Sequence, residues 1–200
     1  AMVLTMDHDL HRYPNGAVAV QGDSILAVGT SEELSRAYQP AQVIDCAGKV
    51  LMPGLVNAHT HVPMTLLRGL ADDLRLDVWL LGYMMPVERE FVSPDFVRLG
   101  TQIACAEMIR TGTTTFVDQY FWMDQIHPVV RESGLRAVLA YGIVELGEEE
   151  ARKRELAAAS AFLEALQGDN LLYGWLGPHA FFVDNSETAM LLEKELAQKH

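Results

Sequence analysis

Basic side chains are scarce in this chain. Lys and Arg together number 15 against 27 Asp and Glu, for a net charge of -12. Such an imbalance argues against binding a phosphate backbone, and against docking on anionic lipid. Cysteine is scarcer still: Cys46 and Cys105 are the only two, and neither sits in a CxxC pattern. That leaves no material for a disulfide framework or a zinc ribbon, and both read as buried free thiols in a reducing compartment. No apolar run approaches the roughly 20 residues needed to span a bilayer. The sequence also opens without a basic-then-apolar leader, so the expected location is the cytoplasm. A Gly-rich phosphate loop after the first long strand is missing too, which excludes a nucleotide-binding Rossmann domain. What is present is a 50% hydrophobic, 21% charged composition with a mean hydropathy of +0.08, the profile of a packed globule.

Two regimes follow one another along the chain. Residues 1–50 read as short β elements: strands at 3–6, 17–20, 24–28 and 42–46, with a hairpin turn at Gly22-Asp23. Thr30-Ser31-Glu32-Glu33 has the form of a capping box opening a brief helix through Tyr38. His8 and His11 fall in a polar loop and read as solvated. So few strands make a small β subdomain that cannot close a core by itself. From residue 51 the pattern becomes strand, helix, strand, helix. Strands are predicted at 55–61, 113–118, 135–144 and 171–178. Helices are predicted from Ser93-Pro94 to Arg110 and over 124–133, 148–167 and 187–200, with Gly112, Gly134 and Gly168 as stops. Alternating units of this kind form a parallel sheet covered by helices. The expectation is therefore an α/β fold with two parts: residues 1–50 as a small β subdomain, and 51–200 as about the first four units of a (β/α)8 TIM-type barrel. A complete four-unit open sheet is the alternative.

The stretch Met52-Pro53-Gly54-Leu55-Val56-Asn57-Ala58-His59-Thr60-His61 carries the strongest chemical signal. On a strand, Asn57, His59 and His61 share one face. Two imidazoles at i and i+2 can converge on one metal ion. The pair also admits a plainer reading, as two surface histidines near a strand end; the apolar strand opened by Pro53-Gly54 favours ligation. In a β/α barrel the chemistry gathers at the C-terminal ends of the strands, where Asp118, Glu145 and His179 also fall. Asp118 and Glu145 read as helix caps, and His179, after Gly177-Pro178, as a pocket residue. The long crossover 62–92 reads as a loop carrying Arg68, Trp79, Tyr83, Met84, Met85 and Glu88, either an apolar lid or a dimer surface.

Taken with Met64-Thr65-Leu66-Leu67-Arg68-Gly69-Leu70-Ala71-Asp72-Asp73-Leu74, Asp77-Val78-Trp79-Leu80, Pro86-Val87-Glu88, Phe116-Val117-Asp118-Gln119-Tyr120-Phe121 and Gly177-Pro178-His179, the chain resembles the amidohydrolase superfamily. Within it, the sequence looks like the 5-methylthioadenosine/S-adenosylhomocysteine deaminases, relatives of guanine deaminase and the triazine chlorohydrolases. The resemblance implies metal-dependent hydrolytic deamination of an adenosine-type nucleoside to the inosine-type product and ammonia, with hydroxide supplied at neutral pH. It implies His59 and His61 as ligands of one divalent ion, usually zinc. It also implies Glu88 on the ribose hydroxyls, His179 on the adenine ring and Trp79 in the pocket wall, and residues 1–50 as the N-terminal part of the family's small β-sandwich. Further ligands and the catalytic acid/base are expected beyond residue 200, and His200 is not one of them. Some members place an arginine near the end of strand three; here Tyr141 stands in that segment, with Arg152 and Arg154 as possible substitutes. A small-molecule nucleoside is the expected partner, and a homo-oligomer the expected assembly. The alternatives are a relative acting on another aminated ring, such as guanine or an s-triazine, and a metal-free scaffold that keeps the barrel.

Overall fold

Local signals place most element boundaries in the computed structural model, which describes residues 1–180 and 185–200. They fall into two compact units, Ala1–Gly54 and Leu55–His200. In the first, β1 (Met2–Leu4) pairs antiparallel with β2 (Arg12–Tyr13) and parallel with β5 (Val50–Leu51). A separate hairpin joins β3 (Gly16–Gln21) to β4 (Ser24–Thr30), with a bulge between Ala19 and Val20. The capping box forms at α1 (Ser31–Ala37): the Thr30 hydroxyl accepts from the Glu33 N–H at 3.2 Å, and the Glu33 carboxylate accepts from the Thr30 N–H at 3.0 Å. His8 is exposed, and His11 is exposed with its Nδ1 2.8 Å from the Asp7 carboxylate. The strand expected at 42–46 does not form. Val43 and Ile44 are each 77% exposed, and among the described residues no strand pairs with them, so β propensity alone cannot hold them extended in a sheet. Cys46 in this stretch is consequently half-buried rather than buried, whereas Cys105 is buried; both are free.

The second unit is built on four parallel strands in sequence order: β6 (Leu55–Thr60), β7 (Thr113–Tyr120), β8 (Arg136–Ile143) and β9 (Leu172–Pro178). Parallel neighbours need long crossovers. These are supplied by α3 (Pro94–Thr111), α4 (Met123–Ser133) and α5 (Glu149–Ala165), and α6 (Glu187–Lys199) follows β9. Ser93 caps α3 through its hydroxyl, Pro94 occupies the first turn, and Gly112 ends the helix in the left-handed region at φ 85°. Strand alternation sorts the side chains. Phe116, Leu139 and Leu172 face the helices and pack with Val97, Met108, Ile126, Val130 and Phe162. Tyr173 and Trp175 lie on the opposite face, each 56% exposed.

The crossover 62–92 is helical rather than a loop. A 3-10 turn (Val62–Leu67) is followed by a π-helix (Val78–Met84) and then α2 (Met85–Phe91). Met84, 2% exposed, anchors it. A seven-residue π-helix is uncommon, and such segments concentrate at functional sites. Among the described residues, no helix is long and apolar enough to cross a membrane. The turn after His61 is held by close backbone approach. A Cβ on Gly100 of α3 would lie 2.5 Å from the Pro63 carbonyl oxygen and 2.8 Å from Pro63 Cα. Backbone cannot yield as a side chain can. Gly100→Ala should therefore destabilise the protein by about 1–3 kcal/mol in urea unfolding, although alanine favours a helix by about 1 kcal/mol.

Candidate metal centre and pocket

Strand β6 ends at Thr60, and His61 follows with a non-helical, non-strand backbone at φ -132°, ψ 74°. The two imidazoles meet edge to face, with centroids 5.1 Å apart and planes at 86°. Their Nε2 atoms are 3.3 Å from each other. His61 Nδ1 lies 2.6 Å from the carbonyl oxygen of Gln119. A carbonyl can only accept, so Nδ1 carries the proton and Nε2 of His61 presents its lone pair. Two such nitrogens at this separation share either a proton or a cation. The donor set fits a divalent metal: two nitrogens about 2.0–2.1 Å from zinc on a tetrahedral edge stand about 3.3 Å apart. A second ring nitrogen donating to a backbone carbonyl is also the usual way a ligand histidine is oriented. Among the described residues, no third His, Cys, Asp or Glu joins the pair.

Asp118 does not cap the helix that follows its own strand, but takes the first N–H of the 3-10 turn after β6. Its Oδ1 accepts from the Val62 N–H at 2.8 Å and from the Thr60 hydroxyl at 2.8 Å, the residues on either side of His61. It pins the end of β6 to β7. At 1% exposure, burial pushes its carboxyl up to about 7, against the pull of the bonds from Val62 and Thr60. Its Oδ2 is buried with no hydrogen-bond partner among the described residues.

Gln119 was not singled out by its sequence context. Besides the carbonyl that orients His61, its side chain crosses β8 to reach β9, with Nε2 3.3 Å from the Gly177 carbonyl oxygen. A Cβ on Gly177 would meet Gln119 Cγ at 2.7 Å, and one on Gly142 would meet Gln119 Nε2 at 3.2 Å and the Tyr120 carbonyl at 2.8 Å. Gly142 and Gly177 pair across β8 and β9. Two glycines late in adjacent strands are the signal that a neighbour's side chain lies over them.

Glu145, 1% exposed, accepts from the Ser186 N–H at 2.5 Å and pairs with Arg152 at 3.2 Å. Burial raises its carboxyl, but the bonds from Ser186, Gly147 and Arg152 prevail and hold it below the ordinary value. It therefore caps the start of α6, as the strand-end reading expects of such a residue. Arg152 is committed to Glu145, and Arg154 is exposed beside Glu155 at 3.1 Å. Tyr141 faces the helices, packs on Phe162 and donates to Glu155 at 3.3 Å. Each of these three side chains thus has a partner within the chain.

Glu88, half-buried on α2, accepts from the Tyr120 hydroxyl at 2.7 Å. Trp79 is half-buried in the π-helix, and His179 is exposed just after β9, its N–H 3.2 Å from the Ile143 carbonyl. The structure brings His59 and His61 together; Glu88 is joined to Tyr120 rather than to that pair. Removing the clamp under His61 has a measurable consequence. Asp118→Ala strands the buried Val62 N–H, and should cost about 2–4 kcal/mol in urea unfolding. Asp118→Asn keeps an acceptor oxygen and should cost clearly less.

Comparison with known proteins places these features in context. Residues 50–200 match the amidohydrolase family, and residues 16–38 match the bacterial imidazolonepropionase-like composite domain. The chain is 42% identical over 185 residues to a 5'-deoxyadenosine deaminase of Methanocaldococcus jannaschii, covering 92% of this chain and 43% of that protein. It is 38% identical over 202 residues to a 5-methylthioadenosine/S-adenosylhomocysteine deaminase of Thermodesulfovibrio yellowstonii, covering 99% of this chain and 46% of that protein. An adenosine deaminase structure from Xanthomonas campestris with bound zinc superposes at a TM-score of 0.87 with 35% identity, covering 98% of this chain and 46% of that one. The chain thus spans under half the length of these relatives.

Proposed function

Since the chain belongs to the amidohydrolase family, we propose that the whole protein removes the amino group of an adenosine-type nucleoside by hydrolysis, releasing ammonia and the inosine-type product. The observation that carries this reading is the histidine pair, with Nε2 atoms 3.3 Å apart and His61 oriented by the Gln119 carbonyl. The relatives' names narrow the substrate to an adenosine skeleton: 5'-deoxyadenosine, 5-methylthioadenosine or S-adenosylhomocysteine. His59 and His61 would hold one divalent ion, and the zinc of the Xanthomonas campestris adenosine deaminase supports zinc as its identity. Held there, such an ion would supply hydroxide at neutral pH by lowering the pKa of its water to about 7.

The described residues supply part of the site. The Gln119 carbonyl keeps the His61 proton on Nδ1, so Nε2 stays a donor of electrons. The Glu88 carboxylate has about four lone-pair directions and spends one on Tyr120, leaving room for both ribose hydroxyls. Trp79 walls the pocket, and His179 hydrogen-bonds the adenine ring. The exposed Leu76, Leu81 and Phe91 of the crossover support assembly as a homo-oligomer. The two free thiols are in keeping with the cytoplasm.

Elemental analysis of the full-length protein tests the metal pair. His59→Ala and His61→Ala should each lower bound metal by more than about tenfold; unchanged content refutes ligation. Ammonia release across a panel of adenosine nucleosides, guanine and s-triazines tests the substrate class, and turnover confined to the free rings overturns it. If Glu88 reads the ribose, Glu88→Gln should cut kcat/KM on nucleosides by about ten- to a hundredfold. It should leave any turnover of a free base far less affected, and an equal loss on both removes that role.

A further inference from the structure

We infer that Tyr120 is a positioning residue for sugar recognition: its hydroxyl, 2.7 Å from Glu88 Oε1, fixes the carboxylate that meets the ribose diol. This rests on the reading of Glu88 given above. Glu88 sits on a helix of seven residues that directly follows a π-helix, so its own element gives it little rigidity. Among the described residues, the Tyr120 bond is the only side-chain hydrogen bond joining segment 69–92 to a strand. Tyr120, by contrast, is 4% exposed at the last position of β7, two residues beyond Asp118 and next to the Gln119 that orients His61. One strand end therefore sets both the metal-facing histidine and the sugar-facing carboxylate.

The direction of the bond suits the task. Burial, and then the adjacent Glu88 carboxylate, hold the Tyr120 phenol above its ordinary value, so it remains a donor. A donor on Oε1 restricts rotation of the carboxyl group while leaving Oε2 and one further lone pair as acceptors. A diol offers two donors at fixed spacing, and a carboxylate held in one orientation meets both without first losing its rotamer freedom.

The test uses Tyr120→Phe in the full-length protein, which removes only the hydroxyl. kcat/KM is measured on an adenosine nucleoside with an intact 2',3'-diol and on its 2',3'-dideoxy counterpart. The readout is their ratio, because loss of folded protein or of metal lowers both values alike. The variant should lower the diol preference about tenfold, mostly through KM. Glu88→Gln should lower it at least as far, and adding Tyr120→Phe to Glu88→Gln should change it no further. An unchanged ratio in Tyr120→Phe beside a collapsed one in Glu88→Gln overturns this inference alone. So does an additive double variant, or a ratio that falls in Tyr120→Phe but not in Glu88→Gln. A ratio unchanged in both single variants overturns the ribose role of Glu88, and this inference with it.

Discussion

One buried oxygen, Oδ1 of Asp118, accepts hydrogen bonds from the Thr60 hydroxyl and the Val62 N–H, and so fixes β6 to β7 at the point where β6 ends. The side chain that has to be held in place, His61, lies between those two donors. A strand terminus is ordinarily where the ladder frays. Here it is closed from the neighbouring strand, and the backbone leaves β6 into a turn pressed against Gly100. Parallel pairing then does the remaining alignment: β6 to β9 run the same way, so their C-terminal ends share one edge. His59, His61, Asp118, Gln119 and Gly177 meet there because of strand polarity, not sequence proximity.

The parts of the fold that were legible in the sequence rest on local physics. Ser93-Pro94, Gly112 and Gly134 act through capping and left-handed backbone, which need no tertiary partner, and they fall within a residue or two of the helix ends. The strands of the parallel sheet were equally readable, since burial on the helix side imposes an apolar pattern. Residues 42–46 have the same apolar character but no strand to pair with, and character alone did not make them a strand. The crossover was misread for the opposite reason. Its helices are short and irregular, with a π-turn that has no 3.6-residue period to detect.

The candidate site divides in the same way. The histidine pair was visible because its spacing matches the strand period. Glu145 was visible as a cap, although the helix it caps is α6 and not the one that follows it. Asp118, Gln119 and Tyr120 act across strands, through contacts 32 to 58 residues distant in sequence. No local pattern encodes such a contact. Arg152 and Arg154, the substitutes offered for a substrate-facing arginine, pair with Glu145 and Glu155, and Tyr141 donates to Glu155; such partners are likewise set by the fold and not by local pattern.

Gln119 spreads one side chain over the two positions where β8 and β9 have glycine. The volume of this layer is therefore shared by three residues on three strands, and neither glycine can grow while Gln119 is present. A shorter residue at 119 relieves the nearest contact of a Cβ at 177, whereas at 142 the Tyr120 carbonyl still stands 2.8 Å away. The layer behaves as a single quantity shared among strands, so drift in this region has to move through ordered, coupled steps.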